Sequence, residues 1–134
     1  MSFRLPKFPM LTLFHNPASK ASTQALALLR QASVTHKFDI DLIESTNTAP
    51  THQQVSSIVE YLGGGSVAKG CSEILDTTQG APKATTVGEV QKILEANPGY
   101  LRRPLVVDWN KGKAVIADPA SRVSEMVKNV GDEE

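Results

Sequence analysis

Apolar and polar positions at the start of the chain predict a β-α-β unit. The run Met10–Phe14 is short, apolar and flanked by Pro9 and Pro17, a pattern typical of a buried strand. Alanine and leucine then recur at helical spacing, which predicts a helix over 17 to 30. From 34 to 44 apolar residues alternate with charged ones, and this period of two indicates a half-buried strand.

The rest of the chain predicts two more helices, a hairpin and a closing helix. Thr51 caps a helix that stops at the glycines 63 to 65, and a second helix runs over Val87–Ala96. Apolar runs on both sides of a turn near 110 to 113 form the hairpin, and the closing helix begins at Pro119.

Residues 63 to 88 separate two of these helices and are mostly small, polar and rich in glycine. We expect a long, flexible connection there, with at most one helical turn around 72 to 76.

The order β-α-β, helices, β-β-α predicts an α/β class with a central mixed four-stranded sheet, which is a thioredoxin-like fold. In this topology the first unit gives parallel strands and the closing hairpin adds an antiparallel edge. The chain of 134 residues is 40% hydrophobic, which is enough for one core. We therefore expect one domain over 10 to 134, preceded by a leader over 1 to 9.

Charge is balanced overall and uneven along the chain. A formal net charge of zero argues against nucleic-acid binding, and the apolar runs are too short to span a membrane. Residues 1 to 38 nevertheless carry five basic side chains and no acidic one, as organelle transit regions do. The leader is thus either a targeting segment, which predicts a mitochondrial location, or a short solvated terminus, which leaves a cytoplasmic one.

Cys71 is the single cysteine, so no disulfide can form within the chain and any redox chemistry must use a monothiol. Its position in the polar connection near Lys69 predicts an exposed thiol with a lowered pKa. The alternative is an incidental cysteine, either exposed at the surface or packed against Ile74 and Leu75 as a small core residue. The three histidines have no metal-ligand spacing, so no metal is predicted.

Two segments, 11 to 19 and 101 to 107, resemble the signature segments of the arsenate-reductase-like branch of the thioredoxin superfamily. The segment 105 to 113, with its flanking helices, also resembles the fungal mitochondrial redox proteins of thioredoxin-like fold. Both resemblances imply a thioredoxin-like fold, which is also the fold that the order of the predicted helices and strands indicates. Together they extend over most of the chain outside the connection 63 to 88.

In arsenate reductases the pattern is His-Asn-Pro-x-Cys, and the cysteine is the nucleophile at a helix start. His15, Asn16 and Arg103 match that pattern here, whereas Ser19 occupies the position of the cysteine. An anion-binding arginine before the last helix is replaced by Asp118. Arsenate reduction is therefore not expected.

The resemblance further implies that the Arg103-Pro104 bond is cis and that its backbone pairs with an extended thiol or peptide ligand. The candidate binding residues are His15, Asn16, Ser19, Arg103 and Pro104. Simple capping of the first helix by Asn16 or Ser19, and an ordinary trans proline, are the alternatives.

These observations leave two main hypotheses for function. The first is a mitochondrial redox protein that exchanges thiols and disulfides through Cys71 as its catalytic residue, with glutathione as co-substrate. The second is a catalytically inactive thioredoxin-like module that lost its cysteine at Ser19 and binds a peptide or a partner protein through the groove between 15 to 19 and Arg103-Pro104. In either case the partner expected is a small-molecule thiol or a protein thiol or disulfide. A glutathione-transferase-like module is a weaker third, because a chain this short lacks the helical second domain. We expect a monomer with no tightly bound cofactor.

Overall fold

The computed structural model describes residues 9–129 and contains one mixed sheet with the strand order β2-β1-β3-β4. The strands are β1 (Met10–Phe14), β2 (Asp39–Ile43), β3 (Leu105–Asp108) and β4 (Lys113–Ile116). β1 is parallel to β2 and antiparallel to β3, and β3 is antiparallel to β4. The predicted mixed four-stranded sheet is confirmed. The predicted leader lies outside the described residues except for Pro9.

Five helices flank this sheet. They are α1 (Lys20–His36), α2 (His52–Gly63), α3 (Val67–Ile74), α4 (Val87–Ala96) and α5 (Val123–Asn129). The predictions for α2 and α4 are confirmed, because both helices start at a capping box whose signal is local: Thr51 with Gln54, and Thr86 with Glu89. Short 3₁₀ turns lie at Thr77–Gln79, Pro98–Tyr100 and Ala120–Arg122.

The two faces of the sheet bury separate apolar clusters. Alternation along the central strands sends Leu11, Leu13 and Val106 toward α1 and α5. Phe14 and Leu105 point to the opposite face, where α2, α3 and α4 pack. The sheet is thus covered on both sides, and its functional groups are confined to the strand ends and the loops.

α1 is longer than predicted and β2 is correspondingly shorter. The helix continues through His36 and ends at Lys37, which has a left-handed φ of 60° and donates its N–H to Ser33 O. Val34 lies on the outer side of the helix with 78% exposure, so the expected alternation of buried and exposed side chains begins only at Phe38. The prediction of a strand from 34 onward is wrong at its start.

The expectation of at most one helical turn within 63 to 88 is also wrong, since α3 occupies the first half of this segment. The glycines at positions 63 and 70 allow two helices to pack closely. A Cβ on Gly70 would collide with the carbonyl oxygen of Val59 on α2, and one on Gly63 would lie 3.1 Å from Gly70 N. The small residues that resemble a loop therefore permit close contact between α2 and α3.

Within residues 9–129, no helix combines the length and the apolar character that crossing a bilayer demands.

Candidate functional site

The turn between β1 and α1 is organised by short side-chain caps. Ser19 is the N-cap of α1, and its Oγ accepts a hydrogen bond from Ser22 N at 3.2 Å. Asn16 Oδ1 accepts from Ala18 N at 3.1 Å. Ser19 thus caps the helix, as the alternative interpretation of this segment predicted, and Asn16 holds the turn just before it. Ser19, which occupies the cysteine position of the His-Asn-Pro-x-Cys pattern, is therefore a capping residue here.

His15 and Ser22 form a buried pair beneath this turn. His15 Nδ1 lies 2.6 Å from Ser22 Oγ, which also accepts a hydrogen bond from Asn16 N at 2.9 Å. Ser22 Oγ accepts from Asn16 N and retains a hydroxyl proton for His15 Nδ1, an arrangement that suits a neutral imidazole. Burial lowers the pKa of His15, and this favours the same neutral form. His15 therefore positions the start of α1.

The Arg103-Pro104 peptide bond is cis, as the resemblance implied. Pro104 is buried at the start of β3, where its carbonyl accepts from Ala117 N at 2.9 Å. A second cis bond, Asp118-Pro119, was not predicted. The N–H and C=O of Arg103 itself form no hydrogen bond within residues 9–129, although the residues on either side do.

The guanidinium of Arg103 is held by backbone oxygens alone. Its Nη1 donates to Pro98 O and Leu101 O, both at 3.1 Å, and its Nη2 lies 3.5 Å from Thr48 O. Its Nε is buried and has no hydrogen-bond partner in the described part of the chain, where no carboxylate forms a salt bridge with it either. Burial lowers the pKa of Arg103 from its ordinary value. The group nevertheless stays cationic, since guanidinium does not deprotonate in proteins.

Asn16 and Arg103 meet in a surface cleft of about 200 Å³ between the start of α1 and the segment before β3. The cleft is lined by Asn16, Thr46, Asp76, Gln79, Gly99, Leu101 and Arg103. Of the predicted binding residues, His15, Ser19 and Pro104 do not line it. Sequence reasoning missed Thr46, Asp76 and Gln79, which come from loops that carry no motif.

Cys71 is fully buried, so the expectation of an exposed thiol is wrong. It belongs to the core cluster that also holds Ile74 and Leu75, which is the packed alternative. Burial raises the pKa of Cys71, and the charge of Glu89 raises it further. Lys69 does not lower this pKa as expected, because side chains two positions apart on a helix point in different directions.

The described residues contain no group of three or more His, Cys, Asp or Glu side chains arranged to hold a metal ion.

Together, the sheet, the cis-proline beside it and the helix start define a thioredoxin-like α/β protein. A solved arsenate reductase from Vibrio cholerae superimposes with a TM-score of 0.67, covering 89% of this chain and 98% of that chain at 19% identity. At that identity, the likeness shows the fold alone. The chain belongs to the family described as "Protein of unknown function (DUF1687)", which matches residues 3–118. A comparison with curated proteins found no significant match.

Proposed function

We propose that this protein is a thioredoxin-fold redox-pathway protein that binds thiol-bearing or disulfide-bearing ligands without exchanging disulfides itself. The ligand is a small-molecule thiol such as glutathione or an extended segment of a protein thiol or disulfide. The observation that carries the proposal is the unpaired backbone of Arg103 beside the cleft.

An extended ligand satisfies the free N–H and C=O of Arg103 by lying beside them as an added strand. In the antiparallel register of β1 and β3, Phe14 is the last residue of β1 and pairs with Leu105. Arg103 lies beyond that pair, so β1 does not cover its backbone. Main-chain pairing of this kind supplies affinity, and the neighbouring cleft supplies selectivity.

The lack of a nucleophile at α1 supports binding without exchange. A disulfide exchange needs a thiolate at the bound ligand. Ser19 offers only a hydroxyl that caps α1, and the single thiol of the chain is enclosed in the core. Redox chemistry at Cys71 is the alternative proposal, and it requires an opening of the core that uncovers the thiol.

Titration of the ¹⁵N-labelled protein with a blocked hexapeptide that carries one central cysteine tests the binding function. The peptide is acetylated and amidated, so that only its backbone and thiol are recognised. We expect amide shifts at Arg103 and Asn16, and none at Cys71. The matched control is the same peptide N-methylated at the cysteine amide, which removes one donor and is expected to bind at least about tenfold more weakly.

Two variants complete this test. Arg103→Glu removes the guanidinium bonds to Pro98 O and Leu101 O that hold this segment in place, so it is expected to weaken binding at least about tenfold, whereas Cys71→Ala leaves binding unchanged. If the peptide instead forms a mixed disulfide with Cys71, seen as a mass increase that reductant reverses, the exchange mechanism replaces ours. Equal affinity for the two peptides would also contradict the proposal.

We also propose that the protein works in mitochondria, on the support of the five basic and no acidic residues among 1 to 38. The test compares fluorescent fusions of the full chain and of a variant lacking 1 to 9. Mitochondrial signal that is lost with the segment supports the location, and cytosolic signal from the full chain contradicts it.

A further inference from the structure

Two side chains of opposite charge line the cleft without neutralising each other. Asp76 and Arg103 both face it, and no salt bridge joins them. Asp76 Oδ1 accepts hydrogen bonds from Thr78, from its N–H at 3.0 Å and from its Oγ1. Its Oδ2 makes no hydrogen bond within residues 9–129. Asp76 therefore keeps one carboxylate oxygen without a partner among residues 9–129, and the guanidinium of Arg103, whose enclosed Nε also lacks a partner, lines the same small cleft.

We propose that this cleft binds an α-amino-acid head group, with the α-ammonium at Asp76 and the α-carboxylate at Arg103. The inference rests on the proposed function, because it names the chemical group that this site selects. Free amino acids carry such a head group, and so does the γ-glutamyl end of glutathione.

Charge explains why a ligand with both signs is favoured. A purely anionic ligand gains attraction from Arg103 and is repelled by Asp76, and a purely cationic ligand has the reverse problem. A zwitterion pairs with both groups. Charge-assisted hydrogen bonds of this kind are stronger than neutral ones, and partial enclosure reduces the competition from water.

The size and the neutral lining of the cleft fit the same group. At about 30 Å³ for each water, a volume of about 200 Å³ holds the equivalent of six or seven waters, which suits a head group with a short side chain. Asn16 and Gln79 add amide N–H donors for the carboxylate. Gly99 has no side chain to narrow the cleft.

Three small probes separate the two charges by calorimetric titration. L-glutamate carries the head group and glutarate lacks its ammonium. γ-Aminobutyrate lacks the α-carboxylate and keeps a carboxylate three carbons away from its ammonium, so it tests whether the two charges must sit on one carbon. We expect L-glutamate to bind at least about tenfold more tightly than either of the other two, because each of those ligands loses one charged hydrogen bond. Reduced glutathione is the fourth probe. Tighter binding of glutathione than of L-glutamate assigns the γ-glutamyl peptide as the source, and the opposite order assigns free amino acids.

Two variants test whether the probes bind in the cleft. Asp76→Asn keeps an oxygen for Thr78 and removes the charge, so L-glutamate should lose at least about tenfold in affinity while glutarate changes little or gains. Arg103→Gln should weaken L-glutamate and glutarate and have less effect on γ-aminobutyrate. The matched controls are Glu73→Gln and Arg122→Gln, two exposed residues outside the cleft, and both should bind as the parent does.

The outcomes distinguish the two proposals. If L-glutamate and glutarate bind equally, or if Asp76→Asn has no effect on L-glutamate, the head-group inference is wrong even where the blocked hexapeptide binds. If neither the hexapeptide nor any probe binds, both proposals are wrong. Binding of L-glutamate without the hexapeptide supports the head-group site and contradicts the strand-pairing function.

Discussion

His15 Nδ1 and Ser22 Oγ are 2.6 Å apart and join the end of β1 to the first turn of α1. Ser22 is completely buried, and His15 is nearly so. The pair also receives the N–H of Asn16 at Ser22 Oγ. One hydroxyl therefore satisfies two groups at the point where the strand becomes a turn, directly beside the proposed binding site.

Removal of that hydroxyl should be costly. We expect Ser22→Ala to lower the free energy of unfolding by about 1–3 kcal/mol, because it leaves the N–H of Asn16 and the imidazole without their partner. Urea denaturation measures the change. Ser72→Ala, at an exposed position of α3, is the control and should stay within about 0.5 kcal/mol of the parent. Equal losses in the two variants would contradict the role assigned to Ser22.

The lowered pKa of His15 predicts that stability falls in acid. Below pH 6.5, the ordinary pKa of histidine, the imidazole takes up a proton in the unfolded chain while it stays neutral in the folded protein. The contribution of His15 to the free energy of unfolding is therefore complete above pH 6.5. It declines as the pH falls, until the pH is below the pKa of His15 in the folded protein. Unfolding free energies at about pH 7.5 and about pH 5.5 measure this decline. It should shrink in His15→Gln and persist in His36→Gln, and an unchanged decline in His15→Gln would refute the assignment.

The thiol of Cys71 should be almost inert in the folded protein. It is buried and its pKa is raised, so little thiolate forms at neutral pH and reagents cannot reach it. We expect alkylation by iodoacetamide to be at least about tenfold slower in the native protein than in the denatured chain, as followed by mass spectrometry. Equal rates would show that the core opens readily and would restore Cys71 as a redox candidate.

Returning a cysteine to the start of α1 should restore an acidic thiol there. In a Cys71→Ala background, we expect Ser19→Cys to have a thiol pKa below about 8.5, because the helix N-terminus stabilises the thiolate. The change from serine to cysteine at the cap should cost about 0.5–2 kcal/mol of stability. Thiolate absorbance in the ultraviolet, recorded against pH, gives the pKa. Ser72→Cys in the same background is the control at a helix position without a cap, and its pKa should be near the ordinary value.

Gly70 should be indispensable to the packing of α3 on α2. A methyl group at this position meets the carbonyl oxygen of Val59, which is backbone and cannot move aside, so we expect Gly70→Ala to cost about 1–3 kcal/mol or more. Gly88→Ala is the matched control, since nothing lies within 4 Å of its added Cβ and α4 gains helix propensity. Thermal unfolding of the two variants should move in opposite directions, and similar midpoints would contradict the packing role.

Local signals explain which elements could be predicted. Apolar residues at helical spacing predict α2 and α4, and the structure adds that Thr51 and Thr86 start these helices through contacts with residues three positions later. The end of α1 was missed because its last turns expose Val34 and carry few apolar residues. α3 was missed because Gly63 and Gly70 have the composition of a loop, and their purpose depends on a neighbouring helix.

The candidate site was predicted only where a motif marks it. Asn16 and Arg103 lie in the two segments that resemble a known family, and both line the cleft. Asp76 and Gln79 belong to a segment with no such pattern, and only the tertiary structure brings them to Arg103. The burial of Cys71 likewise depends on how α3 packs, which its sequence neighbours do not encode.

The burial of the only cysteine affects the kinds of compartment in which this domain can fold. With no second thiol in the chain, no disulfide can form within it, and the packed core shields the Cys71 thiol from oxidants. The fold of this domain therefore does not depend on making or keeping an internal disulfide, in a reducing or in an oxidising compartment.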